Sequence, residues 1–209
     1  MQIVTTKKQI EMVINELFKD SKNDYIKMAK GIAKGIFRPL QPADFKEAYL
    51  SISKEQGENL IELIQESNSK NIVEFGTSFG ISTLYLAQAA METSGYIVTT
   101  ELIESKAKKA IQNFTKAGVN ELIEMRIGNA LETLNNYSKA IDFLLLDGWK
   151  DLYLPLFQML ESNFQKDTII YVDNADMSDV QAFLRTISEN SKYQLESKYH
   201  GKVMLITLK

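Results

Sequence analysis

The amino-acid sequence predicts an α/β fold: a mainly parallel seven-stranded sheet with helices on both faces, one antiparallel strand and an amino-terminal helical extension. Three observations predict it. From Asn71 onward, short strand-type apolar runs alternate with helical stretches, the mark of successive βαβ units. Two of these runs, residues 141–146 and 168–172, are bounded by polar breakers, which is how a strand buried on both faces reads. The chain then closes with strand-like runs at 192–199 and 202–208, joined by the turn His200-Gly201, a hairpin that brings in the antiparallel strand.

The elements follow in order. Ile10, Val13, Ile14, Leu17 and Phe18 recur at helical spacing. A second helical stretch covers residues 24–37, and Arg38-Pro39-Leu40-Gln41-Pro42 breaks it, because a proline disfavours helix just before it. Ser53-Lys54-Glu55-Gln56 is a capping box opening a helix that carries Leu60, Ile61, Leu63 and Ile64 and ends at Ser67-Asn68-Ser69. Strands are expected at 71–75, 96–101, 122–127, 141–147 and 168–173, and helices at 80–92, 105–117, 130–137, 151–162 and 178–190. Asn129 with Glu132, and Ser178 with Gln181, mark two of the helix starts. The division expected is one domain, with a helical cover over residues 1–50 and a binding core over 51–209.

Bulk properties narrow the function. The 209 residues are 44% hydrophobic and 24% charged, with a net charge of -3, so no basic surface recommends nucleic acid as a partner. No apolar stretch is long enough to span a bilayer, and the amino terminus reads as amphipathic instead of as a signal peptide. Cysteine is absent, which excludes disulfides and thiolate chemistry and fits a cytoplasmic location. The single histidine, His200, reads as a turn residue and leaves no histidine triad.

Two regions carry chemistry. Glu74-Phe75-Gly76-Thr77-Ser78-Phe79-Gly80-Ile81-Ser82 follows the first strand and opens a helix. Gly76 permits a tight turn, Gly80 leaves room at the helix start, and the helix N-terminus offers free N–H groups. Glu101 ends the next strand 25 residues after Gly76, where a carboxylate can accept both ribose hydroxyls of a nucleoside. Ser78 stands where a dinucleotide-binding loop has its middle glycine, which counts against a pyrophosphate and not against S-adenosylmethionine. Glu74 suits orienting the loop or meeting a cationic cofactor. The second region is the rim just past two strands, where Asp147, Asp173 and Asn174 are three oxygen ligands for a hard cation such as Mg²⁺, with Lys150 close by as a proton acceptor. Taken singly these residues fit plainer roles: the aspartates and Asn174 as caps, Lys150 as a solvated lysine, Trp149 as a rim aromatic. Lys106, Lys108 and Lys109 read as a solvated helix face. Tyr25, Phe37, Phe45 and Tyr49 suit either a substrate entrance or an ordinary helix-face core.

On these residues the chain resembles the class I S-adenosylmethionine-dependent O-methyltransferases, a Rossmann-like family, and within it the catechol O-methyltransferase type. Asp147-Gly148-Trp149-Lys150-Asp151-Leu152-Tyr153-Leu154-Pro155 is similar to that type's Asp-His-Trp-Lys-Asp-Arg-Tyr-Leu-Pro run, Asp173-Asn174 to its Asp-Asn pair, and the loop from Val73 to Ser82 to its first cofactor motif. The resemblance implies Mg²⁺ held by Asp147, Asp173 and Asn174, with Lys150 as general base. It implies S-adenosylmethionine held by Glu74, Gly76, Ser78, Gly80, Ser82, Glu101, Asn129, Ala130, Asp147 and Trp149, with Asn129 on the adenine edge. Gly148 departs from the pattern, replacing a histidine, and Asn129-Ala130 stands where many relatives have Asp. Glu196 is the nearest counterpart of a substrate-contacting glutamate near the carboxyl end. The implied acceptor is a small, catechol-like molecule with a hydroxyl. A metal-independent methyltransferase and a non-catalytic S-adenosylmethionine-binding module remain as alternatives, and the helices at 1–50 offer a homodimer contact.

Overall fold

The computed structural model describes residues 2–209. Strands β1 (Asn71–Phe75), β2 (Tyr96–Glu101), β3 (Ile123–Ile127), β4 (Ile141–Leu146), β5 (Phe164–Asp173), β6 (Tyr193–Lys198) and β7 (Val203–Leu208) form one sheet in the order β3-β2-β1-β4-β5-β7-β6. Adjacent strands run parallel, except that β7 is antiparallel to both β5 and β6. The predicted fold class is the one observed. Strand order reverses between β1 and β4, and in such sheets ligands bind in the crevice beyond the strand carboxyl ends at that reversal. Gly76 and Asp147 both sit there.

The helices are α1 (Gln2–Asp20), α2 (Asp24–Lys34), α3 (Lys54–Glu66), α4 (Ile81–Thr93), α5 (Glu104–Ala117), α6 (Ala130–Thr133), α7 (Tyr153–Leu160) and α8 (Ser178–Ser188). Side chains alternate along each strand, so the sheet feeds two cores. On one face Ile72, Ile97, Phe143, Leu145 and Tyr171 pack with α1, α3, α4 and α5. On the other Val73, Val98, Leu144, Leu146, Ile170 and Val172 pack with α6, α7 and α8. Helix α4 is buried nearly all round, between the sheet and the pair α1 and α3. The predicted capping box of α3 is present: Gln56 N donates to Ser53 Oγ at 3.1 Å and Ser53 N to Gln56 Oε1 at 2.9 Å.

The differences from expectation are local. Helix α6 stops at Thr133, where Asn135-Asn136 follows and favours turns over helix. Helix α7 is the middle of its predicted span, flanked by 3₁₀ turns at Lys150–Leu152 and Glu161–Asn163. Strand β5 begins at Phe164, four residues early, because its register with β4 shifts between Ile141 and Phe143 and lets the longer strand pair. Tyr25 and Phe37 are not core residues: Tyr25 is 69% exposed on α2, which buries only Gly31, and Phe37 is 88% exposed in the turn that follows it. Tyr49 is buried, and Phe45 is half-buried against Trp149, ring centroids 6.4 Å apart.

Candidate active site

The glycine loop is built by close backbone approach. Gly76 has φ +105°, and a Cβ there would lie 2.5 Å from the Asp147 carbonyl oxygen. Gly80 has φ +91°, and a Cβ there would lie 2.5 Å from the Phe114 ring. Both positions require glycine on two counts, conformation and space. Asp147 N donates to Phe75 O at 2.9 Å, and Gly76 N and Thr77 N donate to Thr100 O at 3.1 and 3.0 Å. The ends of β4, β1 and β2 are thereby locked side by side.

Beneath the loop, Glu74 is fully buried. Its carboxylate accepts from Ser82 Oγ at 2.5 Å, Thr83 Oγ1 at 2.6 Å and Thr99 Oγ1 at 2.5 Å. Burial raises its pKa, and the three hydroxyls oppose that rise. Glu74 and Ser82 are thus bonded to each other, tying β1 to α4 and β2, which is the loop-orienting arrangement.

Glu101 faces the cleft at the end of β2. One carboxylate oxygen accepts Ser78 N at 2.8 Å and the other Ile103 N at 2.8 Å. A carboxylate has about four lone-pair sites, so Glu101 keeps capacity for a further donor. Burial raises its pKa, opposed by those N–H groups and by Lys106. Gly128 N donates to Glu101 O at 2.9 Å, which brings the Asn129-Ala130 turn alongside. Asn129 Oδ1 caps α6 by accepting Leu131 N at 3.1 Å, leaving its amide nitrogen with one 3.5 Å contact to Glu132.

Asp147, Asp173, Asn174 and Lys150 come together at the ends of β4 and β5. The Asp147 side chain is 10% exposed, and burial, then the Asp173 carboxylate, push its pKa well above the usual range, partly countered by Lys150. Two buried carboxylates facing one another repel, and a cation between them removes that cost. Asn174, next in the chain after Asp173, has a left-handed backbone, φ +57°, and carries an amide oxygen. Two carboxylates and an amide are hard oxygen donors of the kind Mg²⁺ takes, so this donor set fits it. No cluster of three His, Cys, Asp or Glu suited to a metal occurs among the described residues, so no third carboxylate or imidazole joins Asp147 and Asp173. Lys150 Nζ lies 3.7 Å from Asp147 Oδ1 and donates to Tyr153 Oη at 2.8 Å; Tyr153 in turn donates to Asp173 O at 3.3 Å.

The cover reaches this rim. Ser78 Oγ donates to Tyr49 O at 2.7 Å, Tyr49 and Phe79 stack at 4.4 Å, and Gln56 Nε2 donates to Asp173 Oδ1 at 2.7 Å. Gly148 has no room for the histidine of the resembling motif, since a Cβ would lie 2.5 Å from the Phe75 ring. Glu196 does not join the cluster: it is exposed on edge strand β6 and paired with Lys198. A groove of about 530 Å³ lined by Met12, Phe18, Lys22 and Lys54 shares no residue with the rim.

Three residues were missed as site residues. Tyr153 was visible at i+3 from Lys150, the spacing of helical neighbours. Gln56 read only as a capping residue. Lys106 is a correction: it is 4% exposed, not solvated. Its signal was its place on the stripe 106, 110, 113, 117, the buried side of α5.

The sequence model of a family described as O-methyltransferase matches residues 39–182. Over 129 residues the chain is 31% identical to a catechol O-methyltransferase of Niastella koreensis, a match covering 60% of this chain and 58% of that protein. It is 30% identical over 126 residues to one of Mycobacterium tuberculosis, covering 60% and 57%. The matches thus span just over half the length of these relatives. In structure the chain is similar to an O-methyltransferase from Bacillus cereus in complex with SAH, with a TM-score of 0.69 and 23% identity, covering 87% of this chain and 97% of that one.

Proposed function

Because the chain belongs to the O-methyltransferase family, we propose that it transfers a methyl group from S-adenosylmethionine to a hydroxyl of a small, catechol-like acceptor with the help of Mg²⁺. One observation carries the reading: Asp147, Asp173, Asn174 and Lys150 gather beside the glycine loop and Glu101. Neither a dehydrogenase nor a mere binding module needs paired carboxylates with a lysine beside them. The names of the two matched relatives support the catechol-type acceptor.

S-adenosylmethionine supplies the methyl group on a sulfonium and leaves as S-adenosylhomocysteine. Glu101 accepts the ribose hydroxyls, Gly76 admits the cofactor's amino-acid end against the Asp147 turn, and the amide nitrogen of Asn129 meets the adenine edge. Trp149 and Phe45 wall the acceptor side. Asp147, Asp173 and Asn174 hold a divalent cation, which lowers the pKa of a hydroxyl and fixes its place. Lys150, steadied by Tyr153, takes the acceptor's proton. The exposed apolar residues of α2 and of the turn after it, Tyr25, Ile32, Ile36 and Phe37, support a contact between two copies of the chain.

Titration calorimetry with S-adenosylhomocysteine and NAD, followed by methyl transfer to a catechol with and without EDTA, tests this. Expected are binding of S-adenosylhomocysteine alone and turnover abolished by EDTA. Turnover that survives chelation favours the metal-independent enzyme, and binding without turnover on any hydroxyl acceptor favours the binding module.

A further inference from the structure

Lys106 lies in the first turn of α5, five residues after Glu101, and only 4% of it is exposed. A buried lysine is costly unless its ammonium is paired or hydrogen-bonded. This one has three donors and a single hydrogen-bond acceptor, Ser78 Oγ at 3.3 Å, with the Phe79 ring 5.3 Å away. It forms no ion pair within 4.0 Å among the described residues. Burial lowers its pKa, while the carboxylates of Glu101, Asp24 and Asp147 act on it from longer range in the opposite sense. Ser78 stands between the two groups: its N–H donates to Glu101, and its hydroxyl accepts from Lys106.

We propose that Lys106 is a cofactor-binding residue that works with Glu101, donating to a ribose hydroxyl whose proton Glu101 accepts. The inference rests on the S-adenosylmethionine reading above. Its chemistry is complementary: Glu101 can only accept, Lys106 can only donate, and a hydroxyl does both. The alternative partner is the carboxylate at the cofactor's amino-acid end. Three carboxylates already surround this one ammonium, so a fourth would be repelled, whereas a neutral hydroxyl is not.

The test is calorimetric binding of three kinds of probe to the parent and to Lys106→Met. The probes are S-adenosylhomocysteine, its analogues lacking the 2′- or the 3′-hydroxyl, and 5′-methylthioadenosine, which lacks the amino-acid end. Lys106→Met is expected to weaken S-adenosylhomocysteine roughly ten- to a hundredfold, the weight of a hydrogen bond to a charged group. The same loss should appear with 5′-methylthioadenosine and vanish with the analogue lacking the contacted hydroxyl. A merely structural lysine would penalise every probe alike. Equal affinity in parent and variant, a loss that persists with both deoxy analogues, or a loss that disappears with 5′-methylthioadenosine each overturns the proposal. If Lys106→Met does not fold, Lys106→Gln is measured the same way and judged by the same pattern. A parent that binds none of the probes overturns the function reading and this inference together.

Discussion

Gly76→Ala should damage both halves of the site at once, and a second glycine supplies its control. Gly76 has φ +105° and a Cβ position 2.5 Å from the Asp147 carbonyl oxygen, 2.7 Å from its carbon and 2.7 Å from Gly148 N. Gly201 has φ +91° and nothing within 4 Å of its Cβ position. Alanine at Gly201 therefore meets only conformational strain, about 1–3 kcal/mol. Alanine at Gly76 meets a similar strain plus a clash with backbone that no rotamer change relieves, roughly another 1–3 kcal/mol. At about 2–4 °C per kcal/mol for a chain of this size, Gly76→Ala should melt about 2–12 °C below Gly201→Ala. The displaced turn carries Asp147, so Mg²⁺ affinity should fall about tenfold or more in Gly76→Ala and stay at the parent value in Gly201→Ala. Thermal melting and calorimetry without cofactor read both quantities. Equal melting temperatures in the two variants would refute the reasoning, because the close approach would then contribute nothing.

Asp147→Asn should raise the melting temperature of metal-free protein, as it removes a buried charge facing Asp173, and should abolish stabilisation by Mg²⁺; a metal-free variant less stable than the parent would sink the repulsion argument. Lys150→Arg keeps the charge but cannot deprotonate, so single-turnover methyl transfer should drop about 10²–10⁴-fold, and near-parental turnover would remove Lys150 as base. Asp44, gripped by Arg38 at 2.6 and 2.9 Å and by Gln41 N at 2.9 Å, is held well below the usual carboxylate range. A depressed folded-state pKa contributes stability above the unfolded value of about 3.9 that is lost as pH falls below it. The melting gap between the parent and Arg38→Met should therefore be constant at neutral pH and shrink below about pH 4; a gap that persists at acid pH would mean that Arg38 acts only by packing.

What was legible in the sequence follows the range of the interactions involved. β1 and β2 end where the apolar runs end, because strand length there is set by local pattern, and the Ser53–Gln56 box closes within three residues. The early start of β5 was not legible, because it depends on a register shift against β4 more than twenty residues away. The cleft residues Glu101, Asp147 and Asp173 could be named because a strand end is a local signal that the sheet converts into a common rim. Lys106 and Gln56 could not be named from that signal. Lys106 looks like its neighbours Lys108 and Lys109 until α5 is docked and its phase against the sheet is known. Gln56 reaches Asp173 across 117 residues, and its local capping role already accounted for it. Glu74 was legible as a buried carboxylate, but its three hydroxyl partners lie on two other elements, so its choice between loop and cofactor was not.

The charges at the rim point to why this chemistry sits here. Glu101, Asp147 and Asp173 bring three carboxylates to adjacent strand ends, against two ammonium groups, Lys106 and Lys150. The protein alone is therefore acidic at this point, and in a low-dielectric cleft that imbalance is costly. On the proposed reading, a divalent cation and a sulfonium cofactor would together bring three positive charges, enough to reverse the imbalance and leave a surplus of two. That surplus would favour an acceptor oxygen in its anionic form. Methyl transfer then cancels the sulfonium's positive charge against the acceptor's negative one, so ether and thioether are both neutral and the net charge of the cleft is unchanged. On this account substituting Asp173 by Asn should weaken the cation and, by reducing the acidic excess, also weaken the cationic S-adenosylmethionine more than its neutral product. A ratio of the two dissociation constants that is unchanged in Asp173→Asn, measured by calorimetry without metal, would show that the rim charge does not select for the sulfonium.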